Sequence, residues 1–169
     1  GRRGRPARQV TNRASKKWNA VRASSGFAAG RHAWEVRVDR CASKNVFVGV
    51  CGAAATSGNY VGSDEHGWGY LANKAIWHDK GKLRSYGELF KEGDVVGVVL
   101  DMDGGRLSFS RNGRDLGLAV EGLGGVLSRS VTSPSIWPMF GHARVSRRVL
   151  RGERATSSTL SSTLTWKSC

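Results

Sequence analysis

The sequence has 169 residues, of which 39% are hydrophobic, 24% are charged and 23 are glycine. A chain of this length can build one domain with a sizeable core and leaves little for a second full domain. The composition is that of a globular protein with many turns, which excludes a largely disordered chain. No apolar run approaches the length of about 18 to 20 residues that a membrane helix needs, so we expect a soluble protein.

The net charge of +14 is concentrated at the two ends of the chain. Residues 1–30 carry eight Lys or Arg and no acid, and residues 144–169 carry six against one acid. The middle, residues 31–143, carries 13 basic and 12 acidic side chains and is nearly neutral. A domain that reads nucleic acid on its strands would carry cations interleaved with exposed aromatic residues there. We therefore assign any RNA or polyanion contact to the ends. The candidate residues are Arg2, Arg3, Arg5, Arg8 and Arg13.

The composition divides the chain into three parts. Residues 1–16 form a basic arm that lacks the apolar stripe of a helix. Residues 17–149 form the folded domain, and residues 150–169 form a Ser/Thr-rich tail of low complexity. The three cysteines show no CxxC spacing, which favours a reducing compartment in the cytoplasm or nucleus. The acid-free, Arg- and Ser-rich start is also compatible with a mitochondrial origin.

In chain order, the first clear strand is AWEVRVD at residues 33–39, where apolar and polar side chains alternate. This period of two predicts a half-buried strand with Trp34, Val36 and Val38 inside. Every residue of the segments VFVGV (46–50) and VVGVVL (95–100) is apolar or glycine. They are therefore expected to be inner strands, covered on both faces.

Turn residues predict how the next strands are connected. Asn112 and Gly113 lie between RLSFS (106–110) and RDLGLAV (114–120), and Asn-Gly favours a type I′ hairpin because both residues tolerate a positive φ. Many short strands with frequent turns predict an all-β fold, a two-sheet antiparallel β-sandwich. The expected core residues include Trp34, Trp68, Val98, Leu100 and Phe109.

Several motifs, taken together and in order, resemble the SPRY domain. They are GFAAGRHAWEVRV, VFVGV, GWGY, IWHDKGK, YGELFKEGDVVGVVLDMDGGRLSFSRNGRDLG and IWP. The similarity spans roughly residues 17–148, and its most specific part runs from Gly93 to Gly117. The resemblance implies a sandwich without enzymatic activity that binds a partner peptide or protein surface through loops at one end.

The resemblance also implies a shallow pocket made by loops around the GWG-type strand and by a loop near the end of the domain. The candidate partner-binding residues are Arg31, His32, Thr56, Asn59, Tyr60 and Phe140. Tyr60 is the strongest candidate, because a loop tyrosine offers a rigid contact area and a hydroxyl; the alternative is that it simply begins a strand. Trp137 stands where the family has a tyrosine, and the segment after it is shorter than usual. Recognition of the Asn-rich peptide typical of one SPRY subgroup therefore does not carry over.

Motifs for metal binding and catalysis are incomplete. Asp101 and Asp103 have the spacing of a calcium loop, but Arg106 and Asn112 stand where that loop needs Gly and Glu. GWGYLA matches a dinucleotide-binding pattern, yet no helical pattern follows it. Cys51 and His78 are an imaginable nucleophile and base, although a cysteine at a strand end is more often a packing residue. We expect no enzyme, no metal and no cofactor.

Two functions fit these observations. The first is a non-catalytic interaction module of SPRY type that binds a protein or peptide. The alternative is a structural subunit of a large assembly, such as a ribonucleoprotein or an organellar ribosome, whose basic arms contact RNA. Contacts of residues 2–13 with a polyanion would favour the second.

Overall fold

The computed structural model describes residues 8–12, 18, 20–40, 44–56, 58–132, 141–147 and 166–167. These residues form strands and contain no helix, and therefore none long and apolar enough to span a membrane. In chain order the strands are β1 (Arg8–Asn12), β2 (Ala20–Ala23), β3 (Arg31–Arg40), β4 (Phe47–Cys51), β5 (Gly67–Leu71), β6 (Ala75–His78), β7 (Gly81–Ser85), β8 (Val95–Asp101), β9 (Arg106–Arg111), β10 (Arg114–Glu121), β11 (Ser128–Thr132), β12 (Gly141–Arg147) and β13 (Trp166–Lys167).

The described strands form two antiparallel sheets. One has six strands in the order β1-β12-β3-β8-β9-β10, and the other has seven in the order β13-β2-β11-β4-β5-β6-β7. The predicted all-β, two-sheet antiparallel sandwich is confirmed. Strand β1 lies within the segment expected to be the basic arm, and β13 lies within the expected tail, so each end of the chain adds one strand to a sheet.

The alternation in the sequence matches the two faces of the strands. Trp34, Val36 and Val38 of β3 are buried, while the residues between them are half-buried or exposed. Strand β4 is buried along its whole length. The hairpin between β9 and β10 also forms as predicted, with φ values of 49° at Asn112 and 84° at Gly113.

The main core lies between the two sheets. Of the five residues expected there, Trp34, Val98, Leu100 and Phe109 are buried. Trp68 is only half-buried and packs against the rim of this core. It stands next to the first residue of β5, where the sheet ends, and its ring stacks on that of His78 with centroids 4.6 Å apart.

A buried carboxylate holds the segment before β8 to the β9–β10 hairpin. Asp94 accepts hydrogen bonds from the Lys91 N–H at 2.8 Å, from Asn112 Nδ2 at 2.9 Å and from Arg111 Nε at 3.1 Å. Burial alone would raise the pKa of the Asp94 carboxyl, but these bonds outweigh it and lower the pKa below its ordinary value.

Candidate functional site

The loop between β4 and β5, residues 52–66, lies over the outer face of the seven-stranded sheet. Its two ends meet where the Gly52 N–H donates to the His66 carbonyl at 2.8 Å. Further along, the Val61 N–H donates to Thr132 Oγ1 at 3.0 Å. Thr132 is the last residue of β11, so the loop returns along the sheet instead of extending beyond it.

Glycines in β4 and β5 let the backbones come this close. A Cβ atom on Gly69 would lie 2.5 Å from the Val61 carbonyl oxygen of the loop. A Cβ atom on Gly49, which is paired with Gly69, would lie 1.9 Å from the Trp68 carbonyl oxygen. The outer face therefore has no side chains at this point, and the loop fills the space.

Side chains fix the conformation of the loop. Arg22 of β2 donates to the carbonyl groups of Gly52 and Ala53 at 2.9 and 2.8 Å. Asp64 accepts hydrogen bonds from the N–H groups of Thr56 and His66 at 2.6 and 2.9 Å. Burial alone would raise the pKa of the Asp64 carboxyl, but these bonds lower it below its ordinary value. The loop is held at both its start and its end.

Four aromatic rings pack together under and beside this loop. We call Trp18, Phe47, Tyr60 and Trp77 the outer aromatic cluster. The ring of Tyr60 stacks on that of Phe47 at 4.9 Å and meets the rings of Trp18 and Trp77 edge-on at 5.4 and 5.8 Å. Phe47 is buried, whereas the other three are half-buried. The cluster therefore presents part of three aromatic rings at the surface.

Three candidate residues lie on this loop. Tyr60 is half-buried in the cluster, and no described residue hydrogen-bonds its hydroxyl. Asn59 is half-buried, and its Oδ1 accepts the Tyr60 N–H at 2.9 Å. Thr56 is exposed near the start of the loop. All three lie in one loop, and Tyr60 does not begin a strand, because β5 starts only at Gly67.

Arg31 and His32 lie elsewhere, at the start of β3 in the six-stranded sheet. Arg31 is exposed and lies opposite Asp101 of β8 in the strand register. The ring of His32 stacks on that of Phe27 at 3.7 Å, and its Nε2 is 2.7 Å from the Ala29 carbonyl oxygen. These two candidates therefore directly follow the turn that precedes β3.

The pairing of strands shows that Tyr60 and His32 belong to different surfaces. Tyr60 lies over Phe47, which pairs with Thr132 at one end of the β4–β11 ladder. The other end, where Cys51 pairs with Ser128, adjoins the bridge between Phe27 and Leu127. The structure therefore does not bring Arg31 and His32 beside Tyr60.

The remaining candidates lie outside what the structure describes in atomic detail. Phe140 is not among the described residues, and neither are Arg2, Arg3, Arg5 and Arg13. The backbone of Arg8 lies in β1 opposite Val145, but its side chain is outside the described part.

The imagined catalytic pair of Cys51 and His78 does not meet. Cys51 pairs with Gly67 and His78 pairs with Trp68, the next residue of β5, so the two side chains lie on opposite faces of the sheet. Burial raises the pKa of the Cys51 thiol above its ordinary value, and the nearby charge of Arg22 offsets this only in part. A thiol with a raised pKa is a poor nucleophile at neutral pH.

The carboxylates of the turn after β8 bind backbone groups. Asp101 Oδ1 accepts the Gly104 N–H at 2.9 Å, and Asp103 Oδ1 accepts the Gly30 N–H at 2.8 Å. Within the described residues, no group of three or more His, Cys, Asp or Glu side chains is placed to hold a metal ion. These two carboxylates stabilise turns.

Comparison with known proteins identifies the same family along most of the chain. The sequence model of the SPRY domain matches residues 31–139. The crystal structure of the SPRY domain of human HERC1 superimposes with a TM-score of 0.71 at 24% identity, over 85% of this chain and 90% of that one. The structure of another human SPRY domain gives a TM-score of 0.67 at 17% identity, over 79% and 86%. These likenesses support the fold.

Two sequence relatives are longer proteins. "F-box/SPRY domain-containing protein 1" of Drosophila willistoni is 32% identical over 146 residues, which cover 80% of this chain and 56% of the relative. "ATP-dependent RNA helicase DDX1" of Xenopus laevis is 33% identical over 113 residues, which cover 65% of this chain and 14% of the relative. The chain thus spans about half, or less, of the curated relatives it matches.

Proposed function

The chain belongs to the SPRY domain family, and on that premise we propose that it is a non-catalytic interaction module that docks a protein or peptide on its outer aromatic cluster. SPRY domains generally bind protein partners. The docking surface comprises the cluster together with Thr56, Gly58 and Asn59 of the 52–66 loop. The observation that carries the proposal is the group of half-buried rings of Trp18, Tyr60 and Trp77 on the surface.

The chemistry of these residues supports docking. Tyrosine and tryptophan are enriched among the residues that contribute most to protein interfaces, because they bury a large area and lose little rotational freedom. The 52–66 loop is fixed by Arg22 and Asp64 before any partner arrives. A surface that is already ordered loses less entropy on binding. The Tyr60 hydroxyl, which no described residue bonds, remains available to a partner.

We also propose that the chain is not an enzyme and works inside the cell. The separation of Cys51 from His78 on opposite sheet faces supports the first point. Cys51, the cysteine within the described residues, is a free buried thiol, which a reducing compartment preserves. RNA contact is a separate proposal for the terminal arginines and is supported by the concentration of charge there.

A pair of glycine substitutions tests the docking surface. Gly58 is exposed beside Tyr60, and Gly124 is exposed in the turn between β10 and β11. A Cβ atom at either position meets nothing within 4 Å, and neither residue has a positive φ. Replacing each by arginine therefore adds the same bulk and charge without strain. Peptides selected on the wild-type domain from a random phage-displayed library serve as the probe.

We expect Gly58→Arg to lower the affinity for the selected peptides by about tenfold or more, which corresponds to about 1.4 kcal/mol of binding free energy. Gly124→Arg should leave their affinity unchanged, and both variants should melt like the wild type. If the selected peptides bind Gly58→Arg as well as they bind the wild type, the proposed surface is wrong. If Gly124→Arg alone abolishes binding, the docking site lies at the end of the sandwich instead.

A further inference from the structure

The hairpin formed by β6 and β7 carries a concentration of positive charge on an otherwise nearly neutral domain. We call residues 74–84 the basic hairpin. Its exposed charged side chains are Lys74, Asp79, Lys80, Lys82 and Arg84, four cations against one acid. None of the four cations forms an ion pair with a described residue. Their charges are open to a partner from outside the chain.

The backbone of the basic hairpin places lysines where other residues would fit better. Lys74 and Lys80 have φ values of 65° and 68°, and Asp79 between them in the chain has 47°. Glycine or asparagine occupies this left-handed region more readily than lysine. Lysine at both positions costs stability, and residues held in such conformations concentrate at functional sites. A partner that binds the two lysine side chains would account for lysine at these positions.

An apolar side chain lies among these charges. Leu83 is 50% exposed and is one of the few large hydrophobic residues exposed in the described part of the chain. It occupies a bulge in β7, between the pairs Arg84↔Ile76 and Lys82↔Trp77. Since paired residues share a face, Lys82 lies on the same face as Trp77 of the outer aromatic cluster. The basic hairpin is therefore continuous with the docking surface proposed above.

Hydrogen bonds hold the basic hairpin against the rest of the domain. The Asp79 N–H donates to the Asp64 carbonyl at 3.0 Å, and the Lys80 N–H donates to the Gly62 carbonyl at 3.2 Å. At the other end, the Tyr86 N–H donates to the Lys74 carbonyl at 2.9 Å. The turn between β6 and β7 is thereby fixed to the 52–66 loop, and its lysines have defined positions.

We propose that the basic hairpin selects an acidic partner segment, whose carboxylates pair with the lysines and whose apolar side chain packs on Leu83. This inference rests on the proposed docking function and names the chemistry of the partner. Leu83 favours a peptide over RNA, because an exposed leucine cannot stack a base as an aromatic ring does. A second copy of this chain is disfavoured, because Lys82 and Arg84 on an edge strand repel an identical edge.

The test uses a short fluorescent peptide rich in Glu and Asp with two leucines, and a matched peptide in which every acid is replaced by its amide. Binding is followed by anisotropy at an ionic strength of about 0.05 M, where charge screening is weak. The hairpin variant is Lys74→Asn combined with Lys80→Asn. Its control is Lys44→Asn combined with Lys91→Asn, which removes the same charge from two exposed lysines without a positive φ.

We expect the acidic peptide to bind the wild type and the amide peptide not to bind. The hairpin variant should bind the acidic peptide about fivefold more weakly, in keeping with the loss of two surface ion pairs. The same variant should melt at an equal or higher temperature, because asparagine suits the left-handed backbone. The control variant should keep its affinity within about twofold.

Equal losses in the two variants would overturn the proposal, since the effect would then follow net charge alone. The proposal would also be overturned, in favour of a nucleic-acid site, if the wild type bound a labelled oligouridine more tightly than the acidic peptide and the hairpin variant did not bind the oligouridine. The docking function is tested separately. If the selected peptides lose affinity for Gly58→Arg but bind the hairpin variant normally, the docking function stands and the selection of acidic partners is refuted. A different result would refute the aromatic surface and support the basic hairpin. In that case the selected peptides bind Gly58→Arg as tightly as the wild type, while the hairpin variant still loses affinity for the acidic peptide.

Discussion

The ring of Tyr60 stacks on the ring of Phe47, with centroids 4.9 Å apart and 14° between their planes. Tyr60 is therefore at once a surface residue and a cover for a buried phenylalanine. We expect Tyr60→Ala to lower the free energy of unfolding by about 2 kcal/mol, less than for a fully buried ring. Tyr60→Phe should keep the wild-type stability, because no described residue bonds the hydroxyl. Urea unfolding of both variants measures this, and a Tyr60→Ala protein as stable as the wild type would contradict the stack.

Gly49 is predicted to tolerate no side chain. A Cβ atom there would lie 1.9 Å from the carbonyl oxygen of Trp68, which belongs to the neighbouring strand and cannot move aside alone. Gly49→Ala should lower the unfolding free energy by about 3 kcal/mol, the upper end of ordinary overpacking, or prevent folding. Gly52→Ala is the control, since its nearest contact would be an ordinary 3.7 Å. Similar stabilities of the two variants would refute the close approach of β4 and β5.

Asp94 is predicted to make the fold sensitive to acid. Its pKa is lowered in the folded protein, so its contribution to stability is complete above the unfolded value of about 3.9 and is lost as the pH falls through the lower folded value. Asp94→Asn should be less stable at neutral pH and lose less stability on acidification from about pH 5 to pH 2. Urea unfolding across this range is the measurement. An unchanged acid slope in the variant would show that other carboxylates dominate.

The charge at the beginning of the chain predicts salt-dependent binding to polyanions. Replacing Arg2, Arg3 and Arg5 by glutamine removes three cations and leaves strand β1 intact. If these arginines contact phosphates, the slope of log affinity for a labelled oligouridine against log salt should fall by about 2, at roughly 0.7 per contact. The same triple substitution at Lys44, Lys91 and Arg106 is the control. Equal slopes for the wild type and the arginine variant would show that these three arginines do not contact the polyanion.

The central strands could be predicted because local pattern and environment agree there. β3 alternates as a half-buried strand must, and Asn112 with Gly113 supplies the φ values that the β9–β10 hairpin needs. The β6–β7 connection carries no such signal, because Asp79 and Lys80 adopt positive φ without being glycine or asparagine. Its geometry follows from hydrogen bonds to the 52–66 loop, which lies outside the hairpin's own sequence.

The candidate site was predictable only in part. The motif placed Thr56, Asn59 and Tyr60 in one loop, but the assembly of Tyr60 with Trp18 depends on how that loop folds back. The signal for this folding back is the pairing of Gly49 with Gly69, which leaves part of the outer sheet face without side chains. Sequence spacing alone does not show that two glycines face each other across strands. For the same reason, the sequence could not separate His32 from this surface.

The pairing of β4 with β11 bears on how the chain is made. Cys51 pairs with Ser128, which lies 77 residues later in the sequence. At a synthesis rate of about 5 to 20 residues per second, the apolar strand β4 waits roughly 4 to 15 s for this neighbour. During that interval β5 can pair with one edge of β4, but the other edge of VFVGV, an uncharged β-forming segment of the kind that aggregates, stays unpaired. The newly made chain is therefore most vulnerable before β11 leaves the ribosome, and a holding chaperone would act there.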